Sequence, residues 1–197
     1  MKKLLLSLCV LMLAACASVQ KIESGDRTLG ERFTVTLEGD WNQVKAPNIG
    51  PPDTETWTME GLPIDQMLIY TGLKNGQAIH AVRQNANSST PAPKNFEFRS
   101  TMQPDEIAGL FEGMLTRDGS AFKLVKLEPT TFAGGKGFRF DYALTRKVDH
   151  VQLAGFGYAI VDKDMLYAVI YHAPRLVFFE RHKTRVEQIA KSARLKG

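Results

Sequence analysis

Hydrophobic and polar residues alternate along this chain in two periods, which divide most of it into strands and two helices. Phe33, Val35 and Leu37 alternate with Thr34 and Thr36, the period of a strand with one buried face. Phe138, Phe140, Tyr142 and Leu144 repeat the pattern against Arg139, Asp141 and Ala143. Val151–Val161 and Met165–Tyr171 are apolar on both faces, as central strands covered from both sides must be, and Asp162-Lys163-Asp164 joins them. Shorter strands are expected near 56–59 and 122–127. Met67–Leu73, Asn75-Gly76 and Gln77–Val82 spell a hairpin, because both central residues of a type I′ turn need positive φ. The helical period appears twice. Ile107, Leu110, Phe111, Met114 and Leu115 form one stripe over 104–117, opened by Pro104 with Asp105 and Glu106 at the positive end of the dipole. A second helix over 174–195, opened by Pro174, places Phe179, His182, Val186, Ile189, Ala190 and Ala193 on one face.

The first residues follow a different logic. Lys2 and Lys3 precede an apolar run from Leu4 to Leu13, and Leu13-Ala14-Ala15-Cys16 closes it. A charged start, a short apolar middle and small residues at a cut site make a secretory signal peptide. With the cysteine directly after the alanines, the segment resembles the lipobox of bacterial lipoproteins. That resemblance implies cleavage between Ala15 and Cys16, acylation of Cys16, and attachment to a membrane on its periplasmic side. Ala17 stands where lipoproteins kept at the inner membrane often carry Asp, so the outer membrane is the expected destination. The alternative is an ordinary signal peptide with Ala-x-Ala-like cleavage and an incidental cysteine. As a helix the run would rise only ~15 Å, half of a ~30 Å hydrocarbon core. Residues 17–30 are polar and aperiodic and read as a flexible tether with a reach on the order of 20 Å. The expected organisation is therefore a signal peptide at 1–15, lipidated Cys16 and tether over 16–30, and a single domain over 31–197.

Composition narrows the chemistry. Removal of residues 1–15 takes Lys2 and Lys3 away, so the basic count drops from 25 to 23 against 21 acidic residues and the formal charge from +4 to +2. Nucleic acid is not an expected partner of so nearly neutral a chain. Cys9 leaves as well, which makes Cys16 the sole cysteine of the mature chain and excludes a disulfide, a free thiol nucleophile and a cysteine metal site.

The order of elements resembles the PsbP-like α/β/α sandwich family, which also includes DcrB-type envelope proteins and a nuclear import factor that binds the Ran GTPase. The carrying residues are Phe33-Thr34-Val35-Thr36-Leu37 followed by Trp41, and Phe132-Ala133-Gly134-Gly135-Lys136-Gly137-Phe138. Leu166-Tyr167-Ala168-Val169-Ile170-Tyr171 and the closing Ile189-Ala190-Lys191-Ser192 complete them. The resemblance implies an α+β domain, a mostly antiparallel central sheet flanked by helices, and a binding or assembly role with no common reaction.

No nucleophile elbow, Ser-x-x-Lys or P-loop is present. Gly134-Gly135-Lys136-Gly137 precedes strand-like residues rather than a helix, and so reads as a hairpin turn. His80, His150, His172 and His182 share no helical spacing, so no metal face forms, and neither metal nor cofactor is expected. His182 reads as a core histidine. Asp162 and Asp164 lack the glycine and distal glutamate of a calcium loop and read as an acidic turn. Gly155 and Gly157 leave one strand face bare for close packing. Arg139 and Asp141 either form a salt link under a covering helix or, with His172, line a hydrolytic cleft. Trp41, Trp57, Pro51 and Pro52 are candidates for an exposed apolar rim that meets a partner in the cell envelope. Capture of an apolar ligand between sheet and helix is a further alternative, and needs a cavity of roughly 300 Å³ or more.

Overall fold

The computed structural model describes residues 18–45, 53–80 and 96–197. In chain order the strands are β1 (Ser18–Ile22), β2 (Gly25–Leu29), β3 (Phe33–Leu37), β4 (Trp41–Lys45), β5 (Thr54–Thr58) and β6 (Gln66–Lys74). After helix α1 (Pro104–Leu115) come β7 (Ala121–Phe132), β8 (Gly135–Thr145), β9 (Gln152–Asp162) and β10 (Met165–Pro174). A π-helical turn (Arg175–Phe179) leads into α2 (Glu180–Lys191), and β11 (Arg194–Leu195) follows. Eight strands pair antiparallel in the order β1-β4-β5-β6-β10-β9-β8-β7, while β11-β3-β2 form a second, small sheet. The result is the α+β sandwich expected of the pattern, with a helix on each face of the large sheet.

Local chemistry explains the joints. Ala133 and Gly134, at φ 50° and 86°, make the two-residue turn from β7 into β8, and Lys163 and Asp164, at 49° and 61°, make the turn from β9 into β10. Pro104 opens α1, the Gln103 N–H donates to the Glu106 carboxylate at 2.8 Å, and Gly119 takes φ 88° beyond its end. A Cβ on Gly155 would lie 2.3 Å from the Tyr142 ring, and one on Gly157 2.4 Å from Phe140. The bare stripe on β9 is therefore filled by aromatic side chains of the neighbouring strand, so packing claims those glycines.

Each face of the large sheet has its own core. On one face β3, the turn and α2 bring Phe33, Val35, Phe179, Val186 and Ile189 onto Tyr167, Val169 and Tyr171 of β10. On the other, α1 lays Ile107, Ala108, Leu110 and Phe111 on Leu68 and Tyr70 of β6 and Phe138, Phe140 and Tyr142 of β8. Phe111 stacks on Phe140 at 5.5 Å and meets Tyr70 edge-on at 5.4 Å. Burying one such ring contributes about 1.5–3 kcal/mol.

Three expectations change. The stretch read as a tether is folded from Ser18 onward: β1 pairs with β4 and β2 with β3. Its side chains are mostly exposed, so no hydrophobic period marks it; backbone pairing and the inward Ile22 and Leu29 hold it. The turn at Asn75-Gly76 exists, with Gly76 at φ 81°, but among the described residues no strand pairs back onto β6 after it; positions 81 and 82 of the expected strand lie outside them. Both edges of β6 are already taken by β5 and β10, so Ala78 bridges to Glu97 instead. The last helix stops at Lys191, and Arg194–Leu195 pairs with β3.

Candidate functional site

The pair Arg139 and Asp141 projects from β8 toward α2. Arg139 Nε donates to Asp141 Oδ1 at 2.9 Å, and Nη1 donates to Glu187 Oε1 of α2 at 2.8 Å and to the Tyr158 hydroxyl at 2.5 Å. Its guanidinium also lies 4.9 Å from the centre of the Phe156 ring. Carboxylates on two sides hold the guanidinium charged despite burial. This is the salt link under a covering helix. His172 belongs to the other face, as Tyr142 does, because side chains alternate along β10 and β8. The sheet therefore separates His172 from Arg139 and Asp141, and the hydrolytic cleft of these three residues does not form.

His182 is a core histidine, with Nε2 2.8 Å from Glu60 Oε1, which also accepts from Arg181 at 2.9 Å. His182 first and Arg181 second hold the Glu60 carboxyl below its ordinary range. Asp162 accepts from Arg32 at 3.0 Å, which accounts for one carboxylate of the acidic turn. His150 is exposed on the β8–β9 turn. Trp41 and Trp57 form no exposed rim: they are 0 % and 1 % exposed, packed beneath the edge strands with the α2-side core. A tryptophan opening a short strand satisfies loop and core patterns equally, and burial decided for the core. Pro51 and Pro52, like Ala15 and Cys16, lie outside the described residues.

What the structure does bring together is a cleft of about 430 Å³ on the α1 face. Leu68 and Tyr70 of β6, Leu144 of β8 and Leu153 of β9 line it from the sheet, and Ile79, Met114 and Leu115 from above. Met114 and Leu115 belong to the apolar stripe of α1, yet they are only half-buried: the stripe runs past the core and over the cleft. Thr54, Gln66, Arg117, Asp118, Ser120 and Arg146 supply its polar lining, together with His80 and His172.

These polar groups differ in how well they are satisfied. Arg146 is spent: its guanidinium donates to both Asp149 oxygens, at 2.9 and 2.6 Å, and to the Pro63 carbonyl at 2.5 Å. Asp118 accepts from the Ser120 N–H at 2.9 Å, and the Ser120 hydroxyl first and this backbone N–H second hold its carboxyl below the usual range. His172 Nδ1 lies 3.1 Å from the Tyr142 hydroxyl, itself 3.3 Å from the Tyr171 carbonyl. Both contacts are used when Tyr142 donates to the carbonyl and His172 Nδ1–H donates to Tyr142, leaving Nε2 as an acceptor. Burial and the Arg146 charge lower the His172 imidazole to about 4. His80 is 6 % exposed, and neither of its ring nitrogens has a hydrogen-bond partner among the described residues. Thr54 Oγ1 is buried and unpartnered in the same way. Desolvation and then the Arg117 charge lower the His80 imidazole too. At neutral pH both histidines are therefore uncharged donor–acceptor groups. A buried polar atom left without a partner costs about 1–3 kcal/mol, so this concentration on one cavity marks a place built to meet something.

No protein-family model matches the sequence, and no curated protein matches it either. Among solved structures, the solution structure of cyanobacterial PsbP (CyanoP) from Synechocystis sp. PCC 6803 is similar, with a TM-score of 0.58 over 93 % of this chain and 96 % of that one. The fold is PsbP-like. Identity across the pair is 10 %, so the likeness shows the architecture alone. No helix among the described residues is long and apolar enough to cross a membrane. The cleft residues were missed in sequence because they come from separate segments. Only His172, on a strand end, carried a signal.

Proposed function

We propose that this chain is a lipid-anchored envelope protein without catalytic activity, which uses its PsbP-like domain for binding or assembly and the α1-side cleft as its contact site. Cys16 is the acylated residue, released as the new N-terminus by cleavage after Ala15, and the domain faces the periplasm from the outer membrane. The observation that carries the binding reading is the cleft itself, where both ring nitrogens of His80 and Oγ1 of Thr54 are buried and unpartnered among the described residues beside an apolar wall. The anchor rests on the lipobox pattern of Leu13-Ala14-Ala15-Cys16. With two or more acyl chains, at about 0.8 kcal/mol for each buried methylene, such an anchor is durable.

Two measurements test this reading separately. In bacterial cells treated with globomycin the unprocessed precursor should accumulate, and Cys16→Ser should release the protein from the membrane fraction. Normal processing under the drug overturns the anchor. A photo-crosslinking residue placed at Arg117, on the rim of the cleft, should give a discrete adduct, while one at Lys126 on the far edge strand should give none. Equal labelling at both positions, or at neither, overturns the cleft as the contact site.

A further inference from the structure

We propose that the cleft takes an aliphatic carboxylate, with its head between Arg117 and His80 and its chain along Met114 and Leu115. This rests on the reading of the cleft as a binding site and names the chemical class that fits it.

The argument begins with the supply of hydrogen bonds. His80 is more than nine-tenths buried with both ring nitrogens unpartnered among the described residues. Arg117, just past the end of α1, joins none of the ion pairs found among the described residues. It lines the same cleft as His80. Arg117 is thus a cation without a counter-ion beside a neutral donor without an acceptor. A carboxylate supplies both, accepting from the guanidinium and from one imidazole N–H. The other charged groups of the cleft do not compete for it. Arg146 is held by Asp149 and the Pro63 carbonyl, and Asp118 is turned to the Ser120 backbone. The second half of the argument is the wall. A free inorganic anion would leave the half-buried Met114 and Leu115 facing empty or water-filled space, whereas an alkyl chain covers them above the buried floor of Leu68, Leu144 and Leu153. At about 430 Å³ the cleft falls in the range of small-molecule sites.

The probe is sodium decanoate, titrated into the full chain carrying Cys16→Ser, unacylated and free of detergent, with imidazole NMR signals as the readout. Decanol shares the tail and butyrate the head. Decanoate should saturate the His80 signal, and decanol and butyrate should each bind about tenfold more weakly or worse, since a charge-assisted contact or several methylenes are then lost. Arg117→Gln, on an exposed residue that the fold does not need, should weaken decanoate about tenfold and leave decanol unchanged. The bound anion should also move the His80 titration upward from its lowered position. Tyr70, Arg117, Asp118, Arg146 and His172 are the charged and titratable groups lining the cleft around it. Equal binding of decanol and decanoate overturns the carboxylate head while the cleft remains a binding site. Failure of all three probes to bind overturns the aliphatic ligand, although rim crosslinking at Arg117 would still stand for a protein partner. Undiminished decanoate binding in Leu115→Trp, whose indole narrows the cleft against the chain, places the ligand elsewhere and overturns the proposal.

Discussion

The two faces of the large sheet solve the same problem in opposite ways. Toward α2, charge at the edge of the core is paired: the half-buried Arg139 with Asp141 and Glu187, and Glu60 with the buried His182 and the exposed Arg181. Toward α1, the contact is almost wholly apolar and aromatic until the last turn of the helix, where a cavity opens and polar atoms go unpaired. Unpartnered atoms exist on the α2 side as well, at Trp41 Nε1 and Tyr171 Oη, but they sit in the packed core and neither lines the cleft. The difference teaches that an unsatisfied polar atom points to a ligand only where there is room to bring one.

Breaking the paired face should produce the largest effect. Arg139→Leu strands Glu187 and Asp141, which are only 20 % and 30 % exposed, and should cost about 3–4 kcal/mol, read as a lower urea midpoint. Acid should act next, and on the other face. The unfolded chain takes up the His172 proton near 6.5 and the native protein only near 4, so this contribution is complete above pH 6.5 and is lost as pH falls toward 4. Its size is about 2 kcal/mol once the partial exposure of the ring to the cleft is allowed for. His80 shifts in the same direction and adds to it. Denaturation midpoints followed from pH 7 to 4 should fall in the native protein and flatten in His172→Gln; an unchanged slope removes His172 as the cause. Glu60 acts lower, its stabilisation fading only as pH drops below the ordinary 4.5 of a glutamate.

Crowding separates the faces more finely. Gly155→Ala drives a methyl into the Tyr142 ring and should cost about 2 kcal/mol, measured by calorimetry, and it should also disturb the Tyr142–His172 contact. Ala190→Leu, in the closed α2 core, should cost about 1–3 kcal/mol. The smallest effect belongs to Leu115→Phe, whose added volume enters the cleft: its midpoint should stay within about 0.5 kcal/mol of the native value. Equal penalties for Ala190→Leu and Leu115→Phe would mean the two faces are packed alike.

Much of the fold was legible because burial writes a period into the sequence. Phe138 to Leu144, the α1 stripe and the doubly apolar β9 and β10 all landed where their patterns put them. The first two strands did not, since Gln20, Lys21, Asp26 and Arg27 face solvent and are held by backbone pairing, which leaves no trace in side-chain polarity. The Asn75-Gly76 turn was read correctly and its partner wrongly, because a turn signal is local while the occupancy of a strand edge is decided by β10, ninety residues further on. The paired site on the α2 side was visible in Arg139 and Asp141, although Glu187 was not. The cleft was almost invisible: Thr54, His80, Arg117 and His172 meet only after the sheet has formed.

The early start of β1 would set the geometry of attachment for the proposed anchor. Only Ala17 separates Cys16 from Ser18, where pairing with Lys45 begins. Two residues span at most ~7 Å. An acylated Cys16 would then moor the domain by the edge of its large sheet instead of floating it on a leash. Its tilt against the bilayer would be set by the course of β1, and every loop would stand at a fixed height. A partner would need to come to the membrane surface to be met.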